Sequence, residues 1–197
     1  RFDVTALHPV RFAGWLRESW QLHEPPSLER WVRAAVREAW DDAGLSEAQI
    51  RPERIAVVSG TTLGEEALLS RSANAAADEI SARGPRWTVS TACSSSANAI
   101  GLGRDLIEWG DADVVFVGGV EKLVVEIMAG FSVLGVLGAS KCSPFGEDIG
   151  TTLGEGAGFL VLERAGLRAV PHPPRAFLLG YGLSGDGEHG LSGGGEY

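Results

Sequence analysis

Two cysteines, Cys93 and Cys142, and one methionine are all the sulfur in this 197-residue chain, too few thiols for a disulfide framework. Basic charge is also short. Lys and Arg number 17 against 26 Asp and Glu, for a formal net charge of -9 and a pI near 4.9. That balance speaks against a nucleic-acid groove or an anionic membrane surface, because both are met by clustered basic residues. Long apolar runs are missing as well: Ala112 to Val117 and Ala157 to Leu162 fall far below the roughly 20 residues that cross a bilayer. The opening, RFDVTALHPV, has no apolar core of a secretion signal, so a cytoplasmic location is expected. Cys142, in SKCSPF, has no ligand-type companion at a metal-binding spacing, and no metal site is expected.

What is present describes a packed domain. With 44% hydrophobic and 22% charged residues the chain can bury a sizeable core, and no repeat or internal boundary divides residues 1–197. Glycine is abundant, at 27 residues, and its concentration in the second half suits closely packed strands and turns.

Periodicity predicts an α/β order. Ser27 is placed to cap a helix from Leu28, whose apolar positions Trp31, Val32, Ala35, Val36, Ala39 and Trp40 recur at helical spacing until DDAG at 41–44 ends it. Strands are expected at Arg54 to Ser59, Arg86 to Thr91, Asp113 to Val117, Gly156 to Glu163 and Arg175 to Leu183. Helices are expected at Glu65 to Ser81 and Ser94 to Trp109. The strand, helix and strand from Arg86 to Val117 read as a right-handed crossover between parallel strands. GEGAG at 154–158 lacks the Lys and Ser or Thr of a phosphate loop and precedes a strand rather than a helix, so no nucleotide site is expected there. Glu121 and Glu155 admit an acid-base role, but hydrogen bonding to turns is the simpler duty. Glu126, Glu147 and Asp148 read as a solvated surface.

The chemistry concentrates at WTVSTACSSSANAIG, residues 87–101. Cys93 falls where the strand becomes the helix, facing the unpaired N–H groups and the positive dipole end of a helix start, which favour thiolate over thiol. The small neighbours Ala92, Ser94, Ser95, Ser96 and Ala97 leave room for a thioester carbonyl. Two readings stand side by side: an exposed nucleophile, or a small buried residue.

STACSSSANAIG around Cys93, DADVVFVGGVEKL at 111–123, GFSVLG at 130–135 and PFGEDIGTTLGEGAGFLVLE at 144–163 together resemble the N-terminal half of a β-ketoacyl synthase, of the thiolase-like superfamily. The resemblance runs from about Leu28 to His189. It implies a layered α/β fold with a mixed, mostly parallel sheet flanked by helices, and a decarboxylative Claisen condensation of acyl and malonyl-type thioesters on acyl carrier protein, as in fatty-acid or polyketide assembly. By this resemblance Cys93 matches the catalytic nucleophile, and Phe131 matches a position that lines the acyl pocket in some members, though plain core packing suits it equally. A homodimer or a related heterodimer is implied, with Trp87 to Ser90 pairing across a two-fold axis. No bound cofactor is implied.

The pattern also departs from that family. A motif like HGTGT and a later asparagine and histidine pair are absent; the histidines are His8, His23, His172 and His189, the last in SGDGEH, which is similar to the segment just before the family's first catalytic histidine. A strand like VTGLG, expected in the middle of the sheet, is missing, and the stretch from Gly60 to Gly84 is short. The fold is therefore expected to be incomplete, with its sheet short of a central strand and its flanking strands poorly covered. Two rival functions follow: a non-catalytic partner subunit of a ketosynthase, of the chain-length-factor type, or a thiol transacylase.

Overall fold

A computed structural model describes residues 2–3, 27–45, 50–62, 70–138, 145–146, 150–167 and 174–185. Its elements are β1 (Phe2–Asp3), α1 (Leu28–Asp42), β2 (Ile55–Gly60), α2 (Arg71–Glu79), β3 (Arg86–Val89), α3 (Ser95–Glu108), β4 (Val114–Glu121), α4 (Val125–Val133) and β5 (Gly156–Glu163). A 3-10 turn, Pro52–Arg54, leads into β2. One sheet runs in the order β1-β5-β4-β2-β3. β2 is parallel to both β3 and β4, while β5 is antiparallel to β4 and to β1. The mixed, mostly parallel sheet expected from the sequence is present.

Alternation along the strands sorts the core into two layers. Ile55, Val57, Val114, Phe116, Phe159 and Val161 share one buried cluster with α1 and α2. Ala56, Val58, Val115, Val117, Leu160 and Leu162 share the other with Ala99 and Leu106 of α3. α1 forms because its apolar residues Leu28, Trp31, Val32, Ala35, Val36 and Ala39 fall on one buried stripe. The Ser27 hydroxyl caps it by accepting from the Arg30 N–H at 3.3 Å, and Gly44, at φ +64°, turns the chain away at its end. α2 is short and small-sided, with Ala73, Ala75, Ala76 and Ala77 buried. At the opposite end of the sheet, Asp113 accepts from Arg54 through both oxygens at 2.9 and 3.0 Å and pairs with Arg164 at 2.6 Å. This knot joins the entries of β2 and β4 to the exit of β5. The Arg54 hydrogen bonds, with the fields of Arg54, Arg164 and Arg51 behind them, hold the Asp113 carboxyl below the usual carboxylate range despite its burial.

Several expectations are corrected. The sheet has no gap at its centre: β2 and β4 pair directly over six register positions, all six residues of β2 are buried, and β1 lies at the margin, beside β5. The crossover strands β3 and β4 are parallel, as expected, with β2 lying between them. The helix expected over 65–81 is helical only from Arg71 to Glu79 among its described residues, and residues 63–69 lie outside them. The strand expected over 175–183 is not formed; those residues are irregular, held by the Tyr181 ring against Gly101 and the Tyr181 hydroxyl on the Asp105 carboxylate. α4 was not anticipated. Cys142, the four histidines and the acidic residues Glu147 and Asp148 lie outside the described residues. Among the described residues, no helix is long and apolar enough to cross a membrane, and no cluster of His, Cys, Asp and Glu is arranged to hold a metal ion.

Candidate active site

Parallel strands bring their C-terminal ends together, and here β2, β3 and β4 end on one rim. Beyond β3 the chain turns sharply: Ala92 takes the left-handed conformation at φ +52°, and α3 begins at Ser95, with Ser94 at the N-cap position making no side-chain capping bond. Cys93 sits on this corner, exposed and unbridged. The reading of Cys93 as a buried packing residue is therefore overturned by its exposure.

The corner sits low on the sheet because two glycines make room for it. A β-carbon on Gly60 would stand 2.6 Å from the backbone of Ser95 and Ser96. One on Gly119 would run into the Ser96 hydroxyl. Real β-carbons do not come so close, so only glycine at the ends of β2 and β4 admits the start of α3. Around Cys93 lies a pocket of about 270 Å³ lined by Gly60, Thr61, Thr62, Ser95, Ser96, Gly119 and Glu121 among others. Its walls are short side chains and backbone, which leaves space for a flat carbonyl group to reach the sulfur.

A hydrogen-bond mesh fixes the rim. The Thr91 hydroxyl accepts from the Asn98 amide at 2.7 Å, and the Ser94 hydroxyl donates to the Thr91 carbonyl at 2.8 Å. The N–H groups of Ser94 and Ser95 close turns on the Thr91 and Ala92 carbonyls at 3.3 and 3.1 Å. These two donors of the helix start are thus engaged; the aligned peptides of the 14-residue α3 remain as the source of positive potential at its mouth. The Glu121 carboxylate accepts from the Thr62 N–H at 2.8 Å, and that of Glu155 from the Leu123 N–H at 3.2 Å. Both glutamates therefore hold loops, the simpler of the duties foreseen for them. Glu126 is exposed on α4. Phe131, also on α4, is half-buried and does not line the pocket at Cys93. Thr61 and Gly119 are the site residues that sequence reasoning missed; only the pairing of distant strands brings them to the corner.

A family model described as "Beta-ketoacyl synthase, N-terminal domain" matches residues 26–166. The chain belongs to this family. Among curated relatives, a 3-oxoacyl-[acyl-carrier-protein] synthase 2 of Rhizobium meliloti is 42% identical over 130 residues, covering 59% of this chain and 31% of that protein. The enzyme of the same name from Staphylococcus aureus is 36% identical over 120 residues, covering 56% of this chain and 30% of its own length. The solved structure of the ishigamide ketosynthase/chain length factor shares 29% identity at a TM-score of 0.62, over 69% of this chain and 41% of that one. This ketosynthase N-terminal domain thus spans about a third of the curated relatives it matches.

Proposed function

We propose that the ketosynthase N-terminal domain takes an acyl group from acyl carrier protein onto Cys93 and serves a decarboxylative condensation in fatty-acid or polyketide assembly. The observation that carries this reading is the exposed Cys93 on a strand-to-helix corner, opening into a pocket floored by glycine. The Cys93 sulfur attacks the thioester carbonyl; a new carbon–sulfur bond forms, the bond to the carrier's sulfur breaks, and the carrier leaves as its thiol. In the second half-reaction a malonyl-type extender loses carbon dioxide, and its enolate carbon attacks the acyl carbonyl on Cys93, making a carbon–carbon bond and freeing the thiol. The names of the relatives, which are 3-oxoacyl synthases acting with acyl carrier protein, support this assignment of substrate and partner. Phe131 is assigned no part in the acyl transfer, and its packing role is preferred.

The oligomer follows from the same reading. β3 closes one margin of the sheet with Trp87 at 37% exposure, and pairing of two β3 strands across a two-fold axis would cover it, in a homodimer or a ketosynthase heterodimer.

Mass spectrometry of the intact protein after incubation with acyl-loaded carrier tests the assignment. A mass increase of one acyl group, mapped to Cys93 and absent from Cys93→Ala, is the expected result. An unmodified Cys93 would leave the non-catalytic partner role in its place. Release of carbon dioxide from a malonyl carrier distinguishes condensation from simple transacylation.

A further inference from the structure

We infer that Ser95 is a positioning residue, whose hydroxyl locks the corner that aims Cys93; the inference rests on the reading of Cys93 as the acyl acceptor. Ser95 is 3% exposed, and its hydroxyl is a meeting point of three chain segments. It accepts from the Thr91 N–H at 2.8 Å, and it stands 2.9 Å from the Thr61 carbonyl and 2.6 Å from the Ala92 carbonyl, to which its single proton is shared. Thr61 is itself tied to β3, its N–H donating to the Val89 carbonyl at 3.0 Å. The Ser90 hydroxyl reaches the Thr62 carbonyl at 3.0 Å.

The placement matters more than the number of bonds. Ala92 adopts a backbone conformation that L-residues hold only when their surroundings enforce it. The Ser95 hydroxyl bonds the Ser90–Thr91 peptide through the Thr91 N–H and the Ala92–Cys93 peptide through the Ala92 C=O, so it brackets the Thr91–Ala92 stretch that carries the strained turn. A rotation of either peptide carries the Cys93 side chain out of line with the pocket. Although Ser95 lines the same pocket as Cys93, its buried hydroxyl bonds only backbone groups, so it acts through the placement of Cys93.

The test compares the intact protein with Ser95→Ala and Ser95→Thr in two reactions at Cys93: acylation by octanoyl-N-acetylcysteamine, which needs an aligned approach, and alkylation by iodoacetamide, which does not. For Ser95→Ala, acylation is expected to fall about tenfold or more while alkylation changes less than about threefold, as misalignment rather than unfolding dictates. Ser95→Thr, which keeps the hydroxyl, restores acylation. Equal losses in both reactions, or no loss in either, overturn the positioning role. An acylation-silent wild type overturns the reading of Cys93 and this inference together. Should Ser95→Ala fail to fold, amide hydrogen exchange of the wild type decides: Thr91, whose N–H is held by a side chain, is expected to be protected about 100-fold or more, and rapid exchange there overturns the lock.

Discussion

A β-carbon on Gly60 would fall 2.6 Å from peptide atoms that cannot step aside, so a single methyl group there sets the start of α3 against the sheet. Gly60→Ala is expected to lower stability by about 1–3 kcal/mol, the range for overpacking a tight contact, measured as a shift of the urea midpoint. It should also slow acylation of Cys93, because the corner moves as a unit with α3. Glu121 acts at the same scale. Glu121→Gln keeps an oxygen that can accept from the Thr62 N–H, and is expected to cost less than about 1 kcal/mol, whereas Glu121→Ala leaves that donor without its partner and costs about 1–3 kcal/mol; thermal melting of the two variants separates the cases.

Between elements, the knot at Asp113 is the clearest electrostatic device. Its carboxyl is depressed by Arg54 first and by the further arginines behind it, so it contributes stability at every pH above the ordinary carboxylate range. That contribution is lost as the pH falls through the lowered folded-state value, where the protonated folded state no longer gains from the arginines. Asp113→Asn is therefore expected to be destabilised by about 1–2 kcal/mol at neutral pH, since Arg54 loses its hydrogen-bonded carboxylate and keeps the field of Asp111, while the half-exposed Arg164 falls back on solvent. The gap between wild type and variant should narrow as the solution is acidified, which urea titrations at a series of pH values would follow; a gap independent of pH would remove Asp113 from this role.

The elements also show what a linear reading reaches. α1 was readable because its buried stripe repeats every three or four residues, and Gly156–Glu163 because its apolar run is continuous. β4 runs on to Glu121, beyond the expected Val117, because its ladder to β5 carries Gly118 and Gly119 opposite Phe159 and Gly158; a local reading sees only glycine and stops the strand. β1 is two residues long and exists through a pairing with Val161 and Leu162, which no local pattern announces. α4 escaped because VEIMAGFSV has apolar residues around its whole circumference and no periodic polar face. The apolar run from Arg175 to Leu183 did suggest a strand, but a strand needs a continued ladder, and along these residues only an isolated bridge at Ala176 forms. At the site, the cysteine, its small neighbours and the coming helix were all visible in one stretch. The contributions of Thr61, Glu121 and Gly119 were not, because they come from strands 26 or more residues away that meet Cys93 only through the sheet.

At the scale of the whole molecule, the sheet has one margin closed by β1 and another formed by β3. Exposed edges of this kind invite pairing. Light scattering is expected to give twice the mass of the chain, and Trp87→Arg, which places charge on that margin, should shift the population toward the single chain without lowering the melting temperature of the isolated subunit by more than a degree or two. A monomeric wild type at micromolar concentration would contradict the proposed assembly.

The two glycines beneath α3 leave the chamber beside Cys93 with a base of naked peptide rather than of side chains. Evolution cannot reshape such a base by exchanging one residue for another, since each replacement plugs the hole it was meant to remodel. Diversity in what the chamber admits must then come from its lip, at positions such as Thr62 and Ser96, and a saturation library selected for new acyl preferences should return its survivors there while keeping Gly60 and Gly119 unchanged.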